Sequence, residues 1–355
     1  MEKVKFSDFR IIPDINSVHK EEIDDDTYFS NQYVHYISNS RLKWINPIEG
    51  GNPELFKNPP KLKTASLSLG SAVHECLLQP ESFELAPKVG NPGSKLGDTL
   101  NFIPEFLKEG IGLDDAIKKA AKKADYYASS IDGDEKRLVS IKEVWETYSK
   151  NLEELNKTPS DKTRRILSDK DWDKANACIQ SCLNNMEIMS KLHPVDPFGD
   201  PILAFNEDAL FMNFVVTYKD KNCAILRFKL KADNWTIDFD SKEVTLNDLK
   251  TTGKSVNAFM GPEGCSFDHY NYARQMACYS QVLWFYCMRN YGVSKETGWK
   301  LKANMLVVET IPNYWSRCFY VTDKQLREGL KMFNELMCRV AYCEMFGYDK
   351  EIEFE

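Results

Sequence analysis

From residue 209 onward the hydrophobic positions change period. Ala209 to Tyr218 reads as a strand, Lys219 to Asn222 as a turn, and Ala224 to Asp233 as the returning strand, with Leu226, Phe228 and Leu230 on one face. After a polar turn over Asp238 to Lys242, Glu243 to Lys250 predicts a third strand. Lys302 to Glu309 and Ser316 to Val321 predict two more. A long helix is expected from Asp268 to Asn290, and a last helix opening at Asp323 as its N-cap. Upstream, residues 104 to 192 carry a heavily charged helical pattern with breaks expected at Gly133 and Pro159. Residues 86 to 100 read as a loop. Ser66 to Leu78 begins with small residues and continues as an apolar helix, and Ser38 to Trp44 is a helix start with a Ser or Asn cap. Residues 1 to 30 are acidic and poorly periodic, which predicts a loosely ordered arm or an interaction segment. Strands in the middle with helices on either side predict an α/β or α+β core.

The polar faces of two strands carry the candidate chemistry. Arg227, Lys229, Lys231 and Asp233 share one face of the returning strand, a basic row ending in a carboxylate. On the next strand Val244, Leu246, Asp248 and Lys250 share a face. If the strands pair as neighbours, Asp233 and Asp248 converge, and two close carboxylates call for a cation. Mg²⁺ is the usual answer, with Mn²⁺ as a substitute. Gln275 and Tyr279 stand four apart on the following helix and so share a face. His74 sits on the small-residue helix as a candidate metal ligand. Any one of these features is common by chance; the ordered set Gly70–His74, Asp233, Asp248-Leu249-Lys250 and Gln275–Tyr279 is far less so.

This set resembles the RecB/RecE-type branch of the PD-(D/E)xK nucleases, most closely the exodeoxyribonuclease VIII-like phage and prophage proteins. The resemblance runs from Ile37–Lys43 through Leu69–His74, Lys229–Asp233 and Asp248–Thr252 to Tyr272–Tyr279. It implies a restriction-endonuclease-like core, with a central mixed β-sheet flanked by helices and a helical insertion. It implies that His74, Asp233, Asp248 and the Leu249 carbonyl hold the metal, that Lys250 positions a water, and that Gln275 and Tyr279 touch the active groups or the substrate. Arg227, Lys229, Lys231, Thr251, Thr252 and Arg274 are then expected to contact DNA. The implied activity is Mg²⁺-dependent exonuclease action, 5′ to 3′ on double-stranded ends, leaving 3′ single-stranded tails for phage-type recombination. A single-strand annealing protein and a homo-oligomer are the implied partners. The chain departs from the family where Lys231-Ala232-Asp233 replaces Arg-Pro-Asp. The alternative is a DNA-binding or assembly protein that keeps the fold with a degenerate site.

The chain so divides into an acidic arm (1–36), the first part of the nuclease core with the His74 helix (37–103), a helical insertion (104–192), the catalytic sheet with its helices (193–340) and an acidic tail (341–355). The 355 residues and 43% hydrophobic content suit a folded protein with a large core. No run is apolar enough for a membrane span, and Met1 to Arg10 lacks the apolar stretch of a secretory signal. A cytoplasmic setting, in the bacterial host if phage-encoded, and reduced cysteines are therefore expected. The formal net charge of −7 opposes a nucleic-acid partner at first sight. Residues 1–30 and 341–355 each sum to −4, however, which leaves residues 31–340 at +1. The objection falls on the ends of the chain, and a basic groove is expected near the site.

Overall fold

The computed structural model describes residues 2–60, 65–126, 131–261, 264–349 and 352–355. They form two compact units: residues 1–63, 182–309 and 315–355 make the first, and residues 64–181 with 310–314 the second. The chain opens the first unit with β1 (Glu2–Val4), β2 (Phe9–Glu21) and the short helices α1 (Asp25–Tyr28), α2 (Asn39–Leu42) and α3 (Pro53–Lys57). The second unit holds α4 (Ala65–Leu78), β3 (Phe83–Leu85), α5 (Ser94–Leu107), α6 (Leu113–Lys123), α7 (Ile131–Lys157) and β4 (Thr163–Arg165), and α8 (Asp169–Leu183) leads out of it. Back in the first unit come α9 (Met186–Leu192), β5 (Leu203–Tyr218), β6 (Asn222–Asp238), β7 (Glu243–Thr252), α10 (Ser266–His269) and α11 (Tyr272–Tyr291). Then follow β8 (Lys300–Glu309), β9 (Ser316–Tyr320), α12 (Asp323–Phe346) and β10 (Ile352–Phe354).

The first unit is built on a mixed six-stranded sheet in the order β2-β5-β6-β7-β8-β9. All neighbours run antiparallel except β7 and β8, whose parallel pairing requires a crossover, supplied by α10 and α11. The expected central mixed sheet flanked by helices is therefore present. The alternating apolar residues of the strands meet Met276, Val282 and Leu283 of α11 and Phe333, Met337 and Val340 of α12 in one core. Gly329 lets the two helices approach closely: a Cβ there would stand 2.0 Å from the Ala273 carbonyl oxygen.

Several expectations need correction. The acidic N-terminus is not a loose arm, because Phe9–Glu21 is an edge strand of the main sheet, with Pro13 tolerated at that edge. Within the acidic tail α12 continues to Phe346, and β10 pairs in parallel with β1. Phe6 and Phe9 stack on Phe354, an aromatic seam that ties the two ends together. The helix expected over 268–290 is two, α10 and α11, separated at Tyr270 and Asn271, where Asn271 takes a positive φ. The last helix is capped by Thr322, not Asp323, in a reciprocal capping box with Gln325.

The second unit has its own apolar core, including Leu100, Ile103, Ile117 and Tyr148. Its small parallel sheet joins β3 to β4, and Glu75 of α4 pairs with Arg165 of β4. A boundary at 103/104 would cut α5, and residues 94–100, expected in a loop, form its first half. Gly133 lies inside α7 and does not break it. Among the described residues no helix is long and apolar enough to cross a membrane. The reduced state expected of the cysteines fits the burial of most of them, Cys265, Cys278, Cys287, Cys338 and Cys343 among them.

Candidate active site

The alternation of β6 slips by one residue at its chemically important point. Leu226, Phe228, Leu230 and Ala232 face the core, and beyond Asp233 the inward positions become Trp235 and Ile237. β5 slips at the same level: Leu210, Met212 and Phe214 face inward, and past Glu207 it is Phe205 that packs on the core. The register is unchanged across the slip. Asn206 pairs with Asn234 and Asp208 with Ala232, which leaves Glu207 and Asp233 between them outside the regular ladder, Glu207 at φ 57°. Such paired irregularities re-aim side chains without losing the sheet. The β6–β7 pairing ends at Asn234 with Asn247, so the next residues in register are Asp233 and Asp248.

Asp233 and Asp248 share one ammonium. Lys250 Nζ lies 2.5 Å from Asp248 Oδ2, 3.3 Å from the Leu249 carbonyl and 3.9 Å from Asp233 Oδ2. Each carboxylate is also held from behind. Gln275 Nε2 donates to Asp248 Oδ1 at 2.7 Å, and the Leu249 N–H donates to Asp233 Oδ2 at 2.8 Å. Burial by itself would lower the Lys250 pKa, but Asp248 and Asp233 overcome it and hold the group protonated well above the ordinary lysine range. Burial pushes Asp233 up, opposed by Lys250 and by the Leu249 N–H. Burial, and then the Asp233 charge, raise Glu207 to about 7 despite its ion pair with Lys231.

Directly beneath the carboxylates runs a ladder of amides. Asn304 Nδ2 donates to Asn247 Oδ1 (2.8 Å), Asn247 Nδ2 to Asn234 Oδ1 (2.6 Å), and Asn234 Nδ2 to Asn206 Oδ1 (2.7 Å). Asn247 and Asn234 also donate to the Lys191 and Leu192 carbonyls at the end of α9. The ladder crosses β8, β7, β6 and β5 one residue from Asp248, Asp233 and Glu207. Neither it nor Glu207 was expected from the sequence. The signal was there to see: an Asn beside an acidic residue on three successive strands.

The structure also places the remaining candidates. Tyr279, four residues after Gln275, is half-buried, and burial holds its phenol far above the ordinary range. His74 lies on α4 in the second unit and is half-buried. The basic row on β6 is not a uniform DNA track. Arg227 is exposed. Lys229 is buried, donates to the Tyr28 carbonyl at 2.5 Å and sits 4.1 Å over the Tyr28 ring, so its charge is largely committed inside the protein. Lys231 is paired with Asp25 and Glu207. Arg274 is committed likewise: only 2% exposed, it donates to Asn39 at 2.9 Å and Glu49 at 2.6 Å. At the end of β7, Thr251 is half-buried, and Thr252 is buried and accepts from the Lys254 N–H.

No family model matches the chain, and no curated protein matches it. A solved structure from Eubacterium rectale, described as a candidate exonuclease, superposes with a TM-score of 0.45 at 14% identity, covering 90% of this chain and 85% of that one. A likeness at that level carries no functional argument.

Proposed function

We propose that the protein is a metal-dependent nuclease of the PD-(D/E)xK type that hydrolyses phosphodiester bonds in DNA. One observation carries the reading: two carboxylates and a backbone carbonyl converge on a single cation, the Lys250 ammonium. In this structure that ammonium stands in for a positive charge among hard oxygen donors, and such a donor set fits Mg²⁺ or Mn²⁺. Asp233, Asp248 and the Leu249 carbonyl would hold the ion. When bound, the metal supplies Lewis-acid polarisation of a phosphoryl oxygen and a more acidic water.

The chain's own residues do the positioning. Gln275 and the Leu249 N–H each fix one oxygen of a carboxylate, so that the two carboxylates keep their orientation. Beside them the Lys250 ammonium adds positive charge next to the two carboxylates, where it would help to orient a phosphate or an attacking water. The finer reading, again proposed, is an exonuclease acting 5′ to 3′ on double-stranded ends and leaving 3′ tails.

Linear duplex DNA labelled at either end, incubated with Mg²⁺, tests both levels. Nucleotide release that stops with EDTA and in Lys250→Ala supports the nuclease. The label lost first gives polarity. Equal activity in wild type and Lys250→Ala would sink the mechanism.

A further inference from the structure

Beside the carboxylates lies a cavity of about 460 Å³, walled by Tyr28, Tyr36, Trp44 and Tyr279 and rimmed by Phe29. Among the described residues its charged lining is basic: Arg41, Lys43, Lys57, Lys229 and Lys231 reach it, and none of the described lining residues is Asp or Glu. Two of these cations stand out. Lys231 is neutralised by Asp25 and Glu207, Lys229 is committed to Tyr28, and Arg41 donates to the carbonyls of Val34, Tyr36 and Phe56. Among the described residues Lys43 and Lys57 have no carboxylate partner. Phe29 is 74% exposed, a large apolar ring left in water at the mouth of a cationic cavity. Lys231 and Tyr279 connect the cavity to the site, the first through its ion pair with Glu207 and the second by standing one helical turn from Gln275, which holds Asp248.

We propose that this cavity seats an unpaired segment of a nucleic-acid strand next to the cleavage centre. A base would stack on Phe29, with flanking phosphates at Lys43 and Lys57. The chemistry selects this ligand. Aromatic faces accept any base and free ammoniums accept phosphate, which is how sequence-tolerant single-strand sites are built. The volume is that of a small-molecule pocket, room for one or two nucleotides and too little for a duplex. The proposal rests on the nuclease reading and adds to it: the strand to be cut is unpaired before it reaches Asp233 and Asp248.

The test uses the full chain in EDTA, so that binding is read without cleavage. The probes are a duplex with a short single-stranded overhang carrying 2-aminopurine and a blunt duplex of the same sequence. Tighter binding of the overhang, with quenching of its fluorescence, is expected. Phe29→Ala, a substitution at an exposed position, should remove the quench and weaken overhang binding on the order of tenfold, the scale of one base–aromatic stack. Lys43→Gln with Lys57→Gln should flatten the salt dependence of log Kd by roughly 1.4, about 0.7 for each phosphate contact on a single strand.

Equal affinity for the two probes in wild type, or a quench that survives Phe29→Ala, overturns the proposal. So does a deoxynucleoside monophosphate that competes as well as the overhang, since the cavity would then hold a free nucleotide. Cleavage assays in Mg²⁺ keep the two readings apart. A protein that never cleaves yet shows Phe29-dependent overhang binding loses the nuclease reading alone, and one that cleaves without overhang preference loses the cavity alone.

Discussion

Asp248→Asn isolates the charge at the centre of the site. The substitution keeps the size of the side chain and an Oδ1 that can still accept from Gln275, so the main loss is electrostatic. At 2.5 Å and an effective dielectric near 20, the Asp248–Lys250 attraction is about 7 kcal/mol, against about 4 kcal/mol for Asp233 at 3.9 Å. Desolvation cancels much of the gross figure, and breaking a buried pair typically costs about 3–5 kcal/mol net. Lys250 keeps Asp233 and is 19% exposed, so the low end applies, about 3 kcal/mol. In EDTA, hydrogen exchange of β6 and β7 amides should accelerate about 100-fold, since about 1.4 kcal/mol is a factor of ten. Adding Lys250→Met removes the stranded ammonium and should recover at least half of the loss, a coupling of about 1.5 kcal/mol or more in the double-mutant cycle. Exchange unchanged in Asp248→Asn, or strictly additive effects in the double variant, would refute the argument that the ammonium is held in place by these carboxylates.

Three further outcomes are expected. Burial, and then Arg41, hold Lys229 down at about 8, so between about 8 and 10.5 the unfolded chain binds the proton that the folded one has lost. Stability should therefore rise with pH through that window. Urea titrations at pH 7.5 and 9.5 should show wild type gaining up to about 2 kcal/mol more than Lys229→Met. Arg274→Ala should cost about 3 kcal/mol in urea unfolding by stranding the partners of a buried guanidinium, and should leave the salt slope of DNA binding where it was. Gly329→Ala forces a Cβ into the Ala273 backbone and should lower the thermal midpoint through a loss of about 1–3 kcal/mol, with α11 and α12 losing amide protection together.

The five strands from β5 to β9 were legible because each buries one face, and the period of two survives almost intact. The Asp-Leu-Lys triplet and Gln275 were legible as neighbours because they fall on faces that a strand or helix fixes. The edge strand β2 was not. It carries Pro13, Asp14 and a register shift before His19, and an edge strand tolerates all of these. The burial of Arg274 was not legible, because its partners Asn39 and Glu49 lie on a distant segment of the chain. The slip at Asp233 also escaped notice: a strict alternation would place Asp233 with Lys231, on the side away from Asp248. The backbone irregularity that brings the two together leaves no mark in the residue types apart from the asparagines that flank it.

Those asparagines constrain how the sequence can change over time. Each interior amide is at once donor and acceptor to its neighbours, so an apolar replacement at Asn234 or Asn247 strands amide groups on both adjoining strands. Replacing all four with aliphatic residues would strand few, yet that state is four substitutions away, through intermediates each worse than the start. Lineages descended from this chain should therefore hold positions 206, 234, 247 and 304 as a block, drifting freely at the solvent-facing residues between them. An alignment in which these four columns vary independently of one another would mean that the rungs are not coupled.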